Sequence, residues 1–196
     1  MEVISHYDRL IEENNDPFRD PPVLQNYMNQ WDGEIFIDSM KLNSTKNVLE
    51  IGVGTGRLAA KVTPYCLKLT GIDISPKTIS RARENLSNFN NIELICSDFS
   101  KYPFNKKFHV IYSSLTMMHF ENKQQIISKV DDLLLDGGIF CSSIDKDQSQ
   151  YIDMDTRKIK IYPDTVDNIT SLIKESNMMV VNIFEIEFAH IIVCTK

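Results

Sequence analysis

The chain has 196 residues, of which 42% are hydrophobic and 24% are charged, and its formal net charge is −6 at pH 7. This composition is ordinary for a globular protein and provides enough apolar surface for one packed domain without metal or disulfide cross-links. The acidic balance disfavours sequence-independent binding to DNA or RNA, which depends on Lys and Arg neutralising phosphates.

The four cysteines, at positions 66, 96, 141 and 194, are far apart, so the chain has neither a CxxC motif nor a zinc-ligand spacing. Three of them lie in apolar runs, where a free Cys acts as a small core residue. The N-terminal residues lack the basic and apolar regions of a signal peptide, and no apolar run approaches the length of a membrane span. We therefore expect a cytoplasmic protein with no metal site and no membrane partner.

The first 45 residues are polar, contain scattered aromatic side chains and are interrupted by three prolines. Tyr7–Ile11 is predicted to be helical. A second helix is predicted from Val23 to about Met40, where Leu24, Tyr27, Met28 and Trp31 recur at helical spacing. This segment is expected to form a short helical cap.

From residue 46 onward, apolar runs typical of strands alternate with helical patterns. The predicted strands are Asn47–Ile51, Leu67–Ile74, Ile92–Cys96, Phe108–Ser113, Ile139–Ile144, a plausible short strand at Lys158–Tyr162, Met179–Phe188 and His190–Thr195. The predicted helices are Leu58–Pro64, Pro76 to Phe89 with Ser75 as its cap, Asn122–Leu135 stopped by Gly137-Gly138, and Pro163 to about Asn177.

This alternation predicts a doubly wound α/β fold, with a mainly parallel seven-stranded sheet and helices on both faces. The last two predicted strands have no room for a crossover helix between them, so the last strand is expected to be antiparallel. We predict a single domain in which residues 1–45 form the cap and residues 46–196 form the core. A ligand would lie at the carboxyl ends of the strands, where the strand order reverses.

The turn after the first strand has the sequence Glu50-Ile51-Gly52-Val53-Gly54-Thr55-Gly56. Glycines permit a tight turn and a close approach of the backbone to a ligand, and the following helix directs its free N–H groups toward that ligand. The alternative is a tight strand-to-helix connection that binds nothing. The spacing is GxGxG, which differs from the GxGxxG of dinucleotide-binding turns.

Carboxylates stand at the ends of three successive predicted strands, namely Glu50, Asp73 and Asp98. Together they would repel a pyrophosphate and would favour a ligand that carries positive charge and ribose hydroxyls. Each has a plainer alternative, because an Asp at a strand end often only caps the next turn.

These motifs resemble those of the class I S-adenosylmethionine-dependent methyltransferases, in the order and spacing usual for that family. The resemblance covers residues 46–196 and is carried by Val48–Ala59, Gly71–Ser75, Cys96–Phe99, Phe108–Leu115 and Leu133–Gly138. It implies an enzyme that takes S-adenosyl-L-methionine as cofactor and releases S-adenosyl-L-homocysteine.

The resemblance also implies roles for individual residues. Glu50 would lie near the ammonium group of the methionine moiety, Asp73 would accept hydrogen bonds from both ribose hydroxyls, and Asp98 would accept one from the adenine amino group. The three glycines would shape the turn, Phe99 would lie near the adenine, and the two serines that end the fourth strand would pass near the reacting methyl group. The full predicted cofactor set is Glu50, Gly52, Gly54, Gly56, Asp73, Ile74, Asp98, Phe99, Ser113 and Ser114.

His119 is the candidate general base, because it follows the fourth strand on the rim where an acceptor would approach and its ordinary pKa suits proton transfer near neutrality. The alternative is a histidine that only bonds the backbone. Tyr7, Tyr27 and Trp31 resemble the aromatic lid of related methyltransferases, although a helically spaced aromatic stripe is equally typical of ordinary core.

The acceptor is expected to be a small molecule, because the segments left to surround it are short: the N-terminal residues, the rim Leu115–Phe120 and the stretch Asp145–Tyr162. A homodimer could complete such a pocket. A DNA-base amino methyltransferase is disfavoured, since the fourth strand ends Ser-Ser-Leu. Two alternatives remain open: a protein that binds the cofactor without turnover, and an NAD(P)-dependent oxidoreductase.

Overall fold

The computed structural model describes residues 2–154 and 157–196. Its strands are β1 Asn47–Ile51, β2 Lys68–Asp73, β3 Ile92–Cys96, β4 Phe108–Ser114, β5 Leu134–Asp145, β6 Tyr151–Met154, β7 Arg157–Lys160, β8 Met179–Glu185 and β9 Ala189–Thr195. Its helices are α1 Glu2–Glu12, α2 Pro22–Met28, α3 Gly33–Ser39, α4 Arg57–Val62, α5 Pro76–Asn85, α6 Lys123–Leu133 and α7 Val166–Lys174, with 3₁₀ turns at Thr63–Tyr65 and Met117–His119.

Seven strands form one sheet in the order β3-β2-β1-β4-β5-β9-β8. Strands β1 to β5 are mutually parallel, whereas β9 is antiparallel to both of its neighbours. The predicted doubly wound fold with an antiparallel last strand is therefore confirmed. Strands β6 and β7 pair separately as a short antiparallel ribbon.

Both faces of the sheet are covered by helices, which explains why its central strands read as almost continuous apolar runs. Leu49 of β1 and Ile111 of β4 pack on one face with residues of α6 and α7, while Val48 and Val110 pack on the other with residues of α4 and α5. Neighbouring residues of one strand thus belong to two cores, as the alternation of side chains in a strand requires.

The chain runs outward from β1 to β3 and then returns to the other side of β1 to form β4. The strand order therefore reverses between β1 and β4, and the loops that follow these two strands leave a crevice between them. This crevice is the usual ligand site of such sheets. Ser75 caps α5 through its side chain, with Pro76 in the first turn, as the sequence predicts.

The single helix predicted from Val23 to about Met40 is wrong. The structure has two short helices there, α2 and α3, and a break at Trp31 and Asp32. Asp32 caps α3 by accepting a hydrogen bond of 2.7 Å from the backbone N–H of Gly33, the first residue of α3, whose φ of +66° prevents a continuous right-handed helix through this point. The apolar residues recur at helical spacing on both sides of this break, so the sequence pattern could not reveal the break.

The prediction that Gly137-Gly138 stops the preceding helix is wrong. Helix α6 ends at Leu133, and the two glycines lie inside β5, where the pairing with β4 jumps from Leu134 to Ile139. Gly137 has a φ of +75°, so the glycines serve a bulge in the strand.

The region after β5 also differs in detail from the prediction. The strand expected at Lys158–Tyr162 is β7, which ends at Lys160, and its partner β6 was missed. The last long helix begins at Val166 rather than Pro163, because Thr165 supplies the side-chain cap. Residues 155 and 156 of the predicted acceptor stretch lie outside the described residues. Among the described helices, none is long and apolar enough to cross a bilayer.

Candidate functional site

A cavity of about 500 Å³ lies at the carboxyl ends of β1, β2 and β4. Its wall includes nine of the eleven residues predicted for the site: Glu50, Gly52, Gly54, Asp73, Ile74, Asp98, Phe99, Ser114 and His119. The other two, Gly56 and Ser113, are not part of the wall. The hydroxyl of Ser113 is buried without a hydrogen-bond partner among the described residues.

The glycine turn borders this cavity, and its glycines serve different needs. Gly54 has a φ of +55°, and a Cβ added to it would meet no protein atom within 4 Å. By contrast, a Cβ at Gly52 would come within 2.1 Å of the Thr116 hydroxyl, and one at Gly56 would come within 2.6 Å of a Leu86 methyl group. Gly54 therefore keeps open space beside the backbone, whereas Gly52 and Gly56 are required by packing.

Asp73 is locked against the same turn. One of its carboxylate oxygens accepts a hydrogen bond of 3.1 Å from the backbone N–H of Gly54, and the other accepts one of 3.0 Å from the backbone N–H of Ser75. Burial raises the pKa of Asp73 above its usual range, although these backbone hydrogen bonds oppose the increase. Each oxygen keeps a lone pair for a further donor, so the carboxylate is a fixed pair of acceptors on the cavity wall.

Glu50 is almost completely buried, and one oxygen accepts a hydrogen bond of 2.7 Å from the Tyr112 hydroxyl. Burial raises the pKa of Glu50 to about 8, even though the Tyr112 hydrogen bond and the charge of Arg57 lower it. Near neutral pH the carboxyl group is therefore mostly protonated, and a cation bound beside it would favour its ionised form.

Arg57 begins α4 and reaches the cavity wall, where it forms a buried ion pair with Asp32. Its Nη1 lies 3.2 Å from Asp32 Oδ1, and the Ser114 hydroxyl donates to Asp32 Oδ2 at 3.0 Å. The ion pair between Arg57 and Asp32, which joins the N-terminal segment to the glycine turn, was not predicted from the sequence. Two signals could have indicated it: the Asp-Gly dipeptide at 32–33 and a cation directly after the last glycine of the turn.

Asp98 lies on the cavity wall, two residues after the end of β3. Burial alone would raise its pKa, but hydrogen bonds from the Ser100 hydroxyl and backbone N–H and the charge of Lys101 together lower it. The Ser100 donors are 2.7 and 2.9 Å from Oδ1, and Lys101 Nζ is 3.4 Å from Oδ2. Phe99 next to it is buried, with its ring centre 6.3 Å from that of Phe120. This end of the cavity thus combines an ionised carboxylate with a flat apolar wall.

His119 lies on the rim, and its Nε2 is 2.8 Å from the hydroxyl of Tyr7. Its Nδ1 is buried without a hydrogen-bond partner among the described residues. Burial, together with the charges of His6 and Lys123, lowers the pKa of His119 to about 4. The imidazole is therefore neutral near pH 7 and has one nitrogen that can accept a proton.

The N-terminal segment covers the cavity from the solvent side. Val3 and Tyr7 of α1 line it, and α1 is fixed by Asp8, which accepts hydrogen bonds from the Ser75 hydroxyl at 2.7 Å and from the backbone N–H of Lys77 at 3.1 Å. Of the three aromatic residues predicted to form a lid, only Tyr7 reaches this wall in the described structure. Trp31 lines a second cavity, and Tyr27 is 53% exposed on the surface.

This second cavity, of about 390 Å³, adjoins the first and shares three wall residues with it: Tyr7, Met28 and Leu115. Its other walls come from Trp31, from the rim after β4, from the end of β5 and from the described part of the stretch between β5 and α7. The three segments predicted to surround an acceptor therefore meet at one cavity. Within residues 2–154 and 157–196, no group of three or more His, Cys, Asp or Glu side chains is placed to hold a metal ion.

A sheet of this order, with a glycine turn after β1 and carboxylates at the tips of β1, β2 and β3, defines the class of Rossmann-like proteins that bind a nucleoside-bearing cofactor. A family model described as a methyltransferase domain matches residues 48–138, which include all three carboxylates. Together with the fold, this match supports a class I S-adenosylmethionine-dependent methyltransferase.

The alignments with curated relatives cover about half of this chain. Nodulation protein S of Sinorhizobium fredii is 30% identical over 96 residues, covering 49% of this chain and 44% of that protein. Malonyl-[acyl-carrier protein] O-methyltransferase 2 of Ilyobacter polytropus is 31% identical over 99 residues, covering 50% of this chain and 38% of that protein. The chain thus spans less than half the length of either relative.

Among solved structures, the N-methyltransferase NodS of Bradyrhizobium japonicum in complex with S-adenosyl-L-homocysteine has the same fold. It superposes with a TM-score of 0.74 at 19% identity, covering 98% of this chain and 97% of that one. This likeness extends to the N-terminal segment and to both ends of the sheet, since almost the whole of each chain is matched.

Proposed function

We propose that this chain binds S-adenosyl-L-methionine in the 500 Å³ cavity and transfers its methyl group to a small-molecule acceptor in the adjoining one. The observation that carries the proposal is the convergence of Glu50, Asp73 and Asp98 around a single cavity beside the glycine turn. This donor set fits a cationic nucleoside, because it offers fixed acceptors and negative charge.

Each part of the cofactor has a matching group on the wall. Asp73 would accept from the ribose hydroxyls, since both of its oxygens are already oriented by backbone donors and keep free lone pairs. Asp98 and Phe99 would hold the adenine through its amino group and its face. Gly54 leaves room for the cofactor to approach the turn closely.

The amino acid end of the cofactor would lie between Glu50 and Arg57. Glu50 would pair with the ammonium group, and Arg57, which is already oriented by Asp32, would donate to the carboxylate. This arrangement places opposite charges of the protein against opposite charges of the ligand. Ser113 is absent from the wall, so we do not assign it a role in binding.

The cofactor supplies an electrophilic methyl group on a sulfonium, and the protein supplies position and electrostatics. Two adjoining cavities would hold the donor and acceptor in reach of each other, and such positioning can lower the barrier by roughly 7–11 kcal/mol in favourable cases. We propose that His119 accepts a proton from the acceptor through the Tyr7 hydroxyl, because Tyr7 lines both cavities whereas His119 lines only the first.

The direct test is calorimetric titration with S-adenosyl-L-methionine and S-adenosyl-L-homocysteine, followed by an assay for S-adenosyl-L-homocysteine release with acceptor candidates. Binding of both ligands at micromolar concentration is expected, with one site per chain. No binding of either ligand at high micromolar concentration would refute the cofactor assignment. Binding without any turnover would favour the cofactor-binding alternative instead.

The residue boundaries of the cap and core, a homodimer and a cytoplasmic location stay predictions. Sedimentation of the cofactor-bound chain at several concentrations would test the homodimer.

A further inference from the structure

The second cavity has a charge pattern that limits what can occupy it. Four aspartates line it, Asp145, Asp147, Asp153 and Asp164, and its described wall residues include no Lys, Arg or His. A cleft whose walls carry charge of one sign concentrates ligands of the opposite sign. The sign of this cavity is negative, provided that the aspartates are not neutralised by neighbours.

Two of the four aspartates are neutralised by ion pairs with lysines that do not line the cavity. Asp164 pairs with Lys123, with Nζ 3.3 Å from Oδ2, and Asp153 pairs with Lys158 at 2.8 Å. These pairs carry no net charge toward the cavity, so they do not contribute to its field.

The other two aspartates accept hydrogen bonds only from uncharged donors in the described part of the chain. Asp145 accepts from the Trp31 indole N–H at 3.0 Å and from the backbone N–H of Asp147 at 2.8 Å. Asp147 accepts from the Ser149 backbone N–H at 2.9 Å and from its hydroxyl at 2.8 Å. These bonds fix the carboxylates in position and leave two net negative charges on the wall.

The rest of the wall suits the carbon skeleton of an organic cation. Trp31 presents an aromatic ring, and Met118, Ile144 and other apolar side chains complete the surface, whereas the ring of Tyr151 already carries Lys158 Nζ at 5.6 Å from its centre. Aromatic faces attract ammonium groups and also accept the adjoining methylene groups. The volume of about 390 Å³ restricts the occupant to a small molecule.

We infer that the methyl acceptor is a small organic cation, whose ammonium group is held by Asp145 and Asp147 while its other end faces the shared wall of Tyr7, Met28 and Leu115. This inference rests on the proposed function, because it assigns the second cavity to the acceptor. It concerns the anchoring group and involves no change of bonding at the ammonium. Acceptors that carry phosphate or carboxylate groups would be repelled from the same wall.

The test compares matched probes that differ in their charged groups, titrated into the chain saturated with S-adenosyl-L-homocysteine. One set is 2-phenylethylamine, 2-phenylethanol and 3-phenylpropanoate, and a second pair is 1,4-diaminobutane and 1,4-butanediol. In each set we expect the ammonium compound to bind about tenfold more tightly than its neutral counterpart, with the carboxylate weakest.

The variants Asp145→Asn and Asp147→Asn should each remove most of this preference while leaving affinity for S-adenosyl-L-homocysteine unchanged. Asn at 145 keeps an oxygen for the Trp31 indole but loses the acceptor for the Asp147 backbone N–H, so Asp147→Asn is the cleaner of the two variants. Asp136→Asn is the matched control, because it removes one negative charge from an exposed residue that lines neither cavity. It should leave the preference intact.

Three results would overturn the inference. The first is neutral probes that bind as tightly as ammonium probes, and the second is no binding of the ammonium probes at concentrations on the order of 10 mM. The third is a preference for ammonium probes that survives in the double variant of Asp145 and Asp147. The comparison among probes uses the unmodified chain, so it remains decisive even if a variant fails to fold. If the chain does not bind S-adenosyl-L-homocysteine at all, the proposed function fails instead, and the two failures are distinguishable.

Discussion

Cofactor binding should release a proton from Glu50, and the quantity can be worked out from the structure. Burial raises the pKa of this carboxyl group to about 8 in the unliganded chain, so about one molecule in eleven is ionised at pH 7. An ammonium group bound beside Glu50 would favour the carboxylate and would bring the pKa back toward its ordinary range. We therefore expect about 0.9 protons to be released per cofactor bound at pH 7.

The same linkage makes the affinity depend on pH. Because the carboxyl group must ionise to pair with the ligand, affinity should rise by close to tenfold between pH 6 and pH 7, where the ammonium group of the ligand stays protonated. Calorimetric titration of S-adenosyl-L-homocysteine, which keeps the ammonium group, in two buffers of different ionisation enthalpy measures the proton release directly. The control is Glu50→Gln, which retains an acceptor for the Tyr112 hydroxyl and has no proton to lose.

Stability of the unliganded chain provides an independent check of the sign. Between pH 4.5 and about 8 the folded protein holds a proton on Glu50 that the unfolded chain lacks, so this group makes the free energy of unfolding fall as pH rises. The slope is about 1.4 kcal/mol per pH unit and should be absent in Glu50→Gln. A wild-type titration without proton release, or a variant with the same pH dependence as the wild type, would refute the reasoning.

Four further substitutions test other parts of the site and of the fold that supports it. Asp73→Asn should weaken binding of S-adenosyl-L-homocysteine by about 10- to 100-fold, since it loses charge-assisted bonds to the ribose, and unchanged affinity would exclude that role. Gly54→Ala and Gly137→Ala should each cost about 1–2 kcal/mol of stability, because both glycines have positive φ and open space at Cβ. Only Gly54→Ala should also reduce cofactor affinity, and equal affinities would show that the cofactor does not approach this turn. Arg57→Met should destabilise the fold by about 3–5 kcal/mol in urea titrations, because it leaves Asp32 buried without its counter-charge, and a neutral result would contradict the buried ion pair.

The sheet and the three carboxylates could be predicted because both are local features of the sequence. Short apolar runs identify β1 to β4, and Glu50, Asp73 and Asp98 stand at or just after the residues where those runs end. Since parallel strands bring their carboxyl ends to one edge, the convergence of these side chains follows from the order of the elements.

The pairs that tune the site could not be predicted, because their members are distant in the sequence. Tyr112 lies 62 residues from Glu50, and Tyr7 lies 112 residues from His119. The hydrophobic periods of a helix, 3.6 residues, and of a strand, 2 residues, carry no information on which side chains distant in the sequence come into contact. The pKa values of Glu50 and His119 were inaccessible for the same reason, since burial determines both.

The N-terminal segment shows a different limit. Its aromatic residues recur at helical spacing, and this pattern favoured one continuous helix across Trp31 and Asp32. In the structure Asp32 turns inward to pair with Arg57, and Trp31 turns toward Asp145, so each residue serves a tertiary contact instead of a helical face. Tertiary interactions outweighed local propensity at this position.

The most direct test of the account is a crystal structure of the chain with S-adenosyl-L-homocysteine. We expect the ribose hydroxyls to donate to Asp73, the adenine to lie against Phe99 with its amino group toward Asp98, and the ammonium group to face Glu50. A ligand bound away from the tips of β1, β2 and β3, or one whose ribose makes no contact with Asp73, would contradict it.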